Sequence, residues 1–232
     1  MSVYYQDEHV TLYHGDCLTE HREWLDADVL VTDPPYGMSH APRGSYDPLT
    51  GVTHKPKVAK NVHGDKSTDA RDSVLGAWGN KPAMVFGTWR QPRPADVRHR
   101  LIWWKQGQPP GPARASFMLQ DEEIYILGDG WKETSPPMRT VIATNEPRQG
   151  ANGAVALTGH PTSKPVPLME RLIDRCPDGV VADPFAGSGS TLIAARNLGR
   201  RAIGVELEER YCELIARRLS QGAFDFTALE AT

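Results

Sequence analysis

Short apolar runs bounded by polar or glycine-rich turns recur along the chain, and runs of this kind predict buried β-strands. We expect strands at 8–15, 27–32, 83–88, 101–105, 122–127, 139–143, 180–182 and 201–206. Apolar residues at helical spacing predict helices at 18–25, 68–78, 166–175, 190–198 and 208–219, with part of another after Pro94. The first helix joins two strands as a βαβ unit, so these two strands should be parallel.

Three stretches show neither the apolar runs of strands nor the helical spacing of apolar residues. Residues 38–67 have few large apolar side chains and are rich in Gly, Pro, His and Lys, so we predict a long surface loop there. A second Pro/Gly-rich loop is expected at 106–116, and residues 128–160 are irregular apart from one strand. Long loops in compact domains are usually functional or disordered, which makes these stretches candidates for substrate contact.

The 232 residues allow one sizeable domain, and 39% hydrophobic with 24% charged residues is typical of a soluble globular protein. No apolar run approaches the ~20 residues that span a bilayer, and the first eight residues lack the basic and apolar regions of a signal peptide. The three cysteines are widely spaced, which suits a reducing cytosol and gives no zinc pattern. We therefore expect a cytoplasmic protein without a membrane or metal partner.

The net charge of −3 does not by itself indicate a nucleic-acid partner, so such a partner would need local basic patches. Two stretches supply them. Within 38–67 five basic side chains accompany two acidic ones, and within 90–114 six basic side chains accompany one acidic one. The candidates for contacts with DNA phosphates in these stretches are Arg43, Lys55, Lys57, Lys60, Arg90, Arg93, Lys105 and Arg114.

A glycine-containing loop, Asp183–Ser190, stands between a predicted strand and a predicted helix. Gly187 and Gly189 allow the main chain to approach a ligand closely, and the helix start at Ser190 offers unpaired N–H groups. The next strand ends in Glu206, where nucleotide-binding folds place an acid that accepts hydrogen bonds from ribose hydroxyls. The phosphate-loop and dinucleotide glycine patterns are absent, so a phosphate is not the obvious ligand. The alternative is a glycine turn that serves only helix–strand packing.

A second motif, Asp33-Pro34-Pro35-Tyr36, directly follows the strand at 27–32. Two successive prolines end a strand because proline lacks the N–H that a sheet needs. The turn places a carboxylate, an aromatic ring and main-chain carbonyls at a strand's carboxyl end, where open α/β sheets bind ligands. The alternative is a proline-rich turn that merely ends a strand.

Together the two motifs resemble the S-adenosylmethionine-dependent amino methyltransferases of DNA. The cofactor loop follows the Asp33 turn by about 150 residues, an order that looks like the circularly permuted β-class. The segment His160–Pro165 is similar to that class's His-Pro-Thr-Gln-Lys-Pro, with Ser163 in place of Gln. The segments 15–17 and 204–207 match further class positions. The resemblance implies an α/β fold with a doubly wound, mostly parallel sheet of the Rossmann-like methyltransferase type, circularly permuted, with small irregular insertions for target recognition.

The resemblance also implies roles for individual residues. Asp33 and the Pro34 carbonyl would accept hydrogen bonds from the target amine, with Pro35 stiffening the turn and Tyr36 stacking on a base flipped from double-stranded DNA. Glu206 would bind the ribose and Asp16 the adenine of S-adenosylmethionine. The remaining candidates for cofactor contact are Cys17, Asp33, Thr162, Lys164, Asp183, Pro184, Phe185, Ala186, Gly187, Ser188, Gly189, Ser190, Thr191 and Leu207. No metal is implied.

The family resemblance favours adenine N6 as the acceptor, because Asp at the first motif position is mostly associated with adenine and Ser with cytosine N4. Cytosine N4, an RNA substrate and a non-catalytic DNA-binding scaffold remain alternatives.

We expect one methyltransferase domain over 1–232, with 38–67 as a basic loop insertion and 128–158 as the target-recognition segment. A monomer or homodimer in a prokaryotic or phage-infected cell is expected, and a restriction endonuclease counterpart is not required. Trp89, Trp103 and Trp104 are either base-stacking platforms or core residues.

Overall fold

The computed structural model describes residues 3–35, 45–46, 53–54, 67–106, 117, 120–145, 158, 160 and 163–224. Its main feature is a nine-stranded sheet with the order β1-β2-β11-β10-β3-β6-β8-β7-β9. The strands are β1 (Val3–Gln6), β2 (Val10–His14), β3 (Val29–Thr32), β4 (Ser45–Tyr46), β5 (Thr53–His54), β6 (Ala83–Gly87), β7 (His99–Lys105), β8 (Asp121–Leu127), β9 (Val141–Thr144), β10 (Val181–Asp183) and β11 (Ala202–Glu206). β4 and β5 form a separate antiparallel pair.

Among the residues that the structure describes, four α-helices and one 3-10 helix with defined bounds cover the sheet. The α-helices are α1 (Asp69–Trp78), α2 (Val166–Ile173), α3 (Ser190–Asn197) and α4 (Glu209–Phe224), and the 3-10 helix is Glu23–Asp26. α2, α3 and α4 pack on one face through a core that includes Leu168, Leu192 and Ile215. α1 and the 3-10 helix pack on the other face, where Trp78 and Trp24 stack. No helix of the described ranges is long and apolar enough to cross a membrane.

The central strands β2, β11, β10, β3 and β6 are all parallel, so their carboxyl ends meet at one edge of the sheet. β8 runs antiparallel to β6 and to β7, and β9 is parallel to β7. β3 and β10 are buried on both faces, which explains why their sequences are continuous apolar runs rather than alternating ones. The expectation of a mostly parallel α/β sheet is therefore confirmed.

Several local expectations need correction. The stretch 18–25 forms turns and a single 3-10 helix instead of an amphipathic α-helix. Trp24 is buried against Trp78 of α1, and its indole N–H donates to the Cys17 carbonyl, which a helical N–H would otherwise use. No helix follows Pro94, where the chain instead makes turns before β7 begins. The edge strand β1, antiparallel to β2, was not expected. β2 and β3 are parallel as predicted, but β11 and β10 lie between them.

Candidate active site

Four acidic residues follow or end neighbouring parallel strands at the carboxyl edge of the sheet. Glu206 ends β11 and Asp183 ends β10, while Asp16 and Asp33 come directly after the ends of β2 and β3. Because β3 lies beside β10, the Asp33 turn stands next to the glycine loop although the two are 150 residues apart in sequence. The prediction that Asp16, Asp33 and Gly187 share one sheet edge is confirmed.

Buried hydrogen bonds shape the loop 183–190. The Asp183 Oδ1 atom accepts hydrogen bonds from Thr32 Oγ1 at 2.7 Å and from the Phe185 N–H at 3.2 Å. Burial raises the pKa of Asp183 to about 6. Gly187 and Gly189 have φ values of 53° and 78°, in the left-handed region that favours glycine. A Cβ atom on Gly189 would lie 2.8 Å from Ile215 Cγ1, so this turn also needs glycine for its approach to α4.

Glu206 connects the two loops that flank it. Its Oε2 atom accepts the Gly187 N–H at 2.7 Å and its Oε1 atom accepts the Glu208 N–H at 2.8 Å. Burial raises the pKa of Glu206 to about 7, despite these two hydrogen bonds, which favour the ionised form. Glu206 is therefore a carboxylate acceptor at a strand end whose ionisation changes near neutral pH.

The structure also places the other predicted cofactor residues near this edge. Asp16 is partly exposed, and its Oδ1 atom caps the turn at 17–20. Cys17 is buried and burial raises the pKa of its thiol to about 12, so it is a core residue rather than a reactive thiol. Phe185 is partly buried against the α1-side core, whereas Leu207 is exposed. Pro184, Ala186, Ser188, Ser190 and Thr191 are buried within the loop and the first turn of α3.

A chain of alternating charges leads from the Asp33 turn into the protein. Lys164 Nζ forms an ion pair with Asp33 Oδ2 and lies 3.3 Å from Glu122 Oε2. The other carboxylate oxygen of Glu122 accepts a hydrogen bond from Lys105 Nζ at 2.5 Å. Both lysine ammonium groups also lie over aromatic rings, that of Lys164 4.8 Å from the Phe86 centroid.

This chain of charges is almost fully shielded from water. The side chains of Lys164, Lys105 and Glu122 are 4%, 7% and 9% exposed, and that of Asp33 is 18% exposed. Charges at such burial lose hydration, so they persist only when each is paired. The pairing with Lys164 fixes the orientation of the Asp33 carboxylate at the strand end.

One expectation for a basic residue changes with this geometry. Lys105 is predicted to contact DNA phosphates, but it is buried and paired with Glu122, so we correct its assignment to an internal ion pair. Lys164, which is predicted to lie near the cofactor, pairs with Asp33, another of the predicted cofactor residues. Arg90 and Arg93 are exposed at the surface, as phosphate contacts require. The candidates Tyr36, Thr162, Arg43, Lys55, Lys57, Lys60 and Arg114 lie outside the described residues.

Sequence reasoning missed Glu122 and Phe86 as members of this site. The signal for Glu122 was present, because it alternates with Ile124 and Ile126 on the core-facing side of β8. An acid at an inward-facing strand position needs a buried partner. Nothing in the sequence indicated that the partners would be Lys105 and Lys164.

Comparison with known proteins agrees with this geometry. The family model described as DNA methylase, of the N6/N4 type, matches residues 27–217. The protein named "Putative methylase YubD" of Escherichia coli (strain K12) is 51% identical over 211 residues, which cover 83% of this chain and 82% of that protein. Type II methyltransferase M2.LlaDCHI of Lactococcus lactis subsp. cremoris is 41% identical over 255 aligned positions, which cover 95% of this chain and 93% of that protein.

Solved structures show the same fold. The M1.HpyAVI–SAM complex superposes with a TM-score of 0.63 at 20% identity and covers 90% of this chain and 98% of its own. The PvuII DNA methyltransferase, described as cytosine-N4-specific, gives a TM-score of 0.62 at 18% identity and covers 92% of this chain and 87% of its own. At these identities the likeness establishes the fold alone.

Proposed function

The chain belongs to the N6/N4 DNA methylase family, and on that premise we propose that it is a site-specific methyltransferase acting on adenine N6 of double-stranded DNA. The protein is a DNA methyltransferase, and S-adenosylmethionine is its methyl donor. The observation that carries the proposal is the Asp33 carboxylate, held by Lys164 at the strand end beside the glycine loop. The Asp at this motif position supports adenine over cytosine N4.

The acceptors at the sheet edge fit S-adenosylmethionine. Glu206 is a buried carboxylate at the end of β11, which suits a pair of ribose hydroxyls. Asp16 follows the neighbouring strand β2 and supplies an acceptor for the adenine amino group. The left-handed backbone at Gly187 and Gly189 shapes the loop before α3, where the methionine portion would lie, with Leu207 and Phe185 as apolar contacts. When bound, the cofactor supplies an electrophilic methyl group on its sulfonium.

Asp33 and Pro34 prepare the amine for transfer. The lone pair of an adenine N6 amine is delocalised into the ring, which makes the amine a poor nucleophile. Hydrogen bonds from its two N–H groups to the Asp33 carboxylate and the Pro34 carbonyl favour a pyramidal nitrogen, whose lone pair can then point at the methyl group. On transfer, the new nitrogen–carbon bond would replace the carbon–sulfur bond of the donor, the donor would leave as a neutral thioether, and Asp33 or water would take the extra amine proton. Much of the rate comes from this orientation.

Lys164 keeps the Asp33 carboxylate in place during this process, because one of its oxygens is bound to the ammonium group. Tyr36 stacks on the flipped base, and the Pro35 ring limits the freedom of the turn that carries it. Arg90 and Arg93, together with the basic side chains at 43, 55, 57, 60 and 114, contact the DNA phosphates.

We assign the protein to the circularly permuted β-class. Counted from β10, the strands β2-β11-β10-β3-β6 have the spatial order 3-2-1-4-5 of a doubly wound fold, although the third of these five strands comes first in the sequence. The Asp-Pro-Pro-Tyr motif preceding the glycine loop in the chain supports the same assignment. We further propose one domain, with 38–67 and 128–158 as insertions for target recognition. It acts as a monomer or homodimer, with no required endonuclease, in the cytoplasm of a prokaryotic or phage-infected cell.

Mass spectrometry of nucleosides tests the proposal. DNA from cells that express the wild-type protein should contain N6-methyladenine, and DNA with N4-methylcytosine alone would refute the adenine assignment. Asp33→Ala should abolish methylation while S-adenosylmethionine still binds with nearly wild-type affinity in calorimetry. Asp178→Ala is the matched control, because this exposed aspartate lies in the turn before β10, at the opposite edge of the sheet. Methylation by Asp33→Ala at the wild-type rate would show that the turn has another role.

A further inference from the structure

Trp89 is a large apolar side chain exposed beside the proposed active site. It follows β6, the strand paired with β3, so it emerges at the same sheet edge as Asp33. Its side chain is 61% exposed. Neighbouring strands are about 4.8 Å apart, so β6 is the strand whose end can present a residue close to Asp33 on the side away from the glycine loop.

The other two candidate tryptophans are less suited to DNA contact. Trp103 is 1% exposed, and its Nε1 atom donates to Thr144 Oγ1 at 2.8 Å, so it is a core residue. Trp104 is 42% exposed, but it lies on β7, three strand positions from β3 and therefore roughly 14 Å away across the sheet. The structure thus separates three tryptophans that the sequence left equivalent.

Buried side chains hold the backbone around Trp89 at both ends. The Thr88 carbonyl accepts the Gln91 N–H at 3.3 Å and lies 3.4 Å from the buried Tyr125 hydroxyl oxygen, whose proton is donated to Glu123. The Pro92 carbonyl accepts Arg71 Nη1 at 2.8 Å, and Arg71 is 2% exposed. These contacts hold the backbone on both sides of Trp89 in place, while most of the ring remains exposed.

Glu123 holds Arg93, which lies four residues after Trp89. Its carboxylate is 2% exposed and accepts hydrogen bonds from Arg100 Nη1 at 2.8 Å, Arg93 Nη2 at 3.4 Å and the Tyr125 hydroxyl at 2.5 Å. Burial opposes ionisation, but these hydrogen bonds hold the pKa of Glu123 below its ordinary value. One buried negative charge therefore positions two half-exposed guanidinium groups, and the surface keeps a net positive charge.

Arg90 completes a surface suited to nucleic acid. Its guanidinium carbon lies 5.4 Å from the centroid of the Trp89 ring. An aromatic ring flanked by arginines is the usual arrangement for stacking on a base while neutralising the adjacent phosphate. The positive charge excludes a basic partner, and the position beside Asp33 places the ring where the DNA substrate must lie.

We infer that Trp89 stacks on the DNA base that flanks the flipped nucleotide, with Arg90 on the adjoining phosphate. This inference rests on the proposed function, since it needs a DNA substrate with an extruded target base. Flipping leaves the neighbouring base without one of its stacking partners, and an exposed ring on a backbone that is held at the site can replace that partner.

The test compares wild type with Trp89→Ala and Trp89→Phe on a duplex that carries the wild-type methylation motif, identified by long-read sequencing of an expressing host. Trp89→Ala should lower kcat/KM for DNA by roughly 5- to 150-fold, the range expected for loss of one base–aromatic stack. Trp89→Phe should retain most of the activity because it keeps a ring. Leu198→Ala is the matched control, since this exposed apolar residue lies at the far end of α3.

Two further readouts separate stacking from other roles. The fluorescence of a 2-aminopurine placed beside the target base should be quenched by the wild-type protein and not by the Trp89→Ala variant. The dependence of DNA affinity on salt should be unchanged in Trp89→Ala and weaker in Arg90→Gln, because only the second variant removes a charge.

Three results would overturn the inference. One is activity of Trp89→Ala within twofold of wild type, and another is an equal loss of S-adenosylmethionine affinity, which would indicate a structural role. The third is a fluorescence change that occurs only when 2-aminopurine replaces the target base and not when it replaces the neighbouring base. If the wild-type protein methylates no DNA at all, the proposed function fails first, and this outcome is distinct from the other three.

Discussion

The ionisation of Glu206 predicts that S-adenosylmethionine affinity depends on pH. Burial raises the pKa of this carboxyl from 4.5 to about 7 in the unliganded protein. A carboxylate is the stronger acceptor for ribose hydroxyls, so cofactor binding should select the ionised form. With a pKa of about 7, the ionised fraction is about one in eleven at pH 6 and about ten in eleven at pH 8. The apparent Kd should therefore fall about tenfold between these values, which corresponds to about 1.4 kcal/mol.

Isothermal titration calorimetry at pH 6, 7 and 8 measures this change directly. At pH 7, titrations in two buffers with different ionisation enthalpies should show release of about half a proton for each cofactor bound, because Glu206 is about half protonated before binding. Glu206→Gln is the control variant. It should bind the cofactor more weakly and lose the pH response, and any response that remains belongs to Asp183, whose pKa burial raises to about 6.

The free energy of unfolding of the unliganded protein provides a second measurement. It should fall as the pH rises, whereas the affinity for the cofactor should increase. A raised pKa in the folded state means that protonated Glu206 stabilises the fold fully below its ordinary pKa of 4.5. This contribution is lost as the pH rises through about 7, so the free energy of unfolding should fall by about 1.3 kcal/mol from this residue between pH 6 and pH 8. A cofactor affinity constant within twofold across this range, or a Glu206→Gln variant with the full wild-type response, would refute the reasoning.

Two substitutions test the packing of the site. Gly189→Ala puts a Cβ atom 2.8 Å from Ile215 at a φ of 78°, and should cost more than the about 1–2 kcal/mol of left-handed backbone strain in urea denaturation. Gly199→Ala is its control, with a φ of 69° and open space around the Cβ position; equal losses would contradict the role of the close contact. Glu122→Gln removes the buried carboxylate that Lys105 and Lys164 share, while Lys164 keeps its ion pair with Asp33, and it should destabilise the protein by about 3–5 kcal/mol and lower kcat. Adding Lys105→Met should recover part of the stability, whereas additive losses would show that the pair is not coupled.

Much of the fold follows from local pattern. Each predicted strand of the sheet is present with both ends within two residues of the predicted ones, because a continuous apolar run bounded by turn residues is a property of consecutive residues. The weakest predictions fell on segments whose conformation depends on contacts elsewhere. β1 forms because β2 offers it an edge, and 18–25 makes turns that bury Trp24 against Trp78 of α1, a contact remote in the chain.

The sequence motifs predicted where the site lies, but they did not predict how its charged side chains pair. The Asp33 turn and the loop 183–190 contain their own chemistry in consecutive residues, and a parallel sheet brings their strand ends together. The partners of Asp33 are different. Lys164, Glu122 and Lys105 come from three separate segments, and their pairing depends on the register between β7 and β8, in which Trp103 is opposite Glu122. No sequence spacing encodes that register.

The sequence by itself therefore determined the strands, the two motifs and the sheet edge at which they meet, because these depend on local composition and on the rules of parallel connection. The tertiary structure alone decided which side chains face each other across that edge. In the structure Lys105 lies in a buried ion pair rather than at the surface. Trp89 is exposed, whereas Trp103 is buried. The physical reason is that burial and pairing are properties of three-dimensional neighbours, and a residue's neighbours across a sheet are remote in the chain.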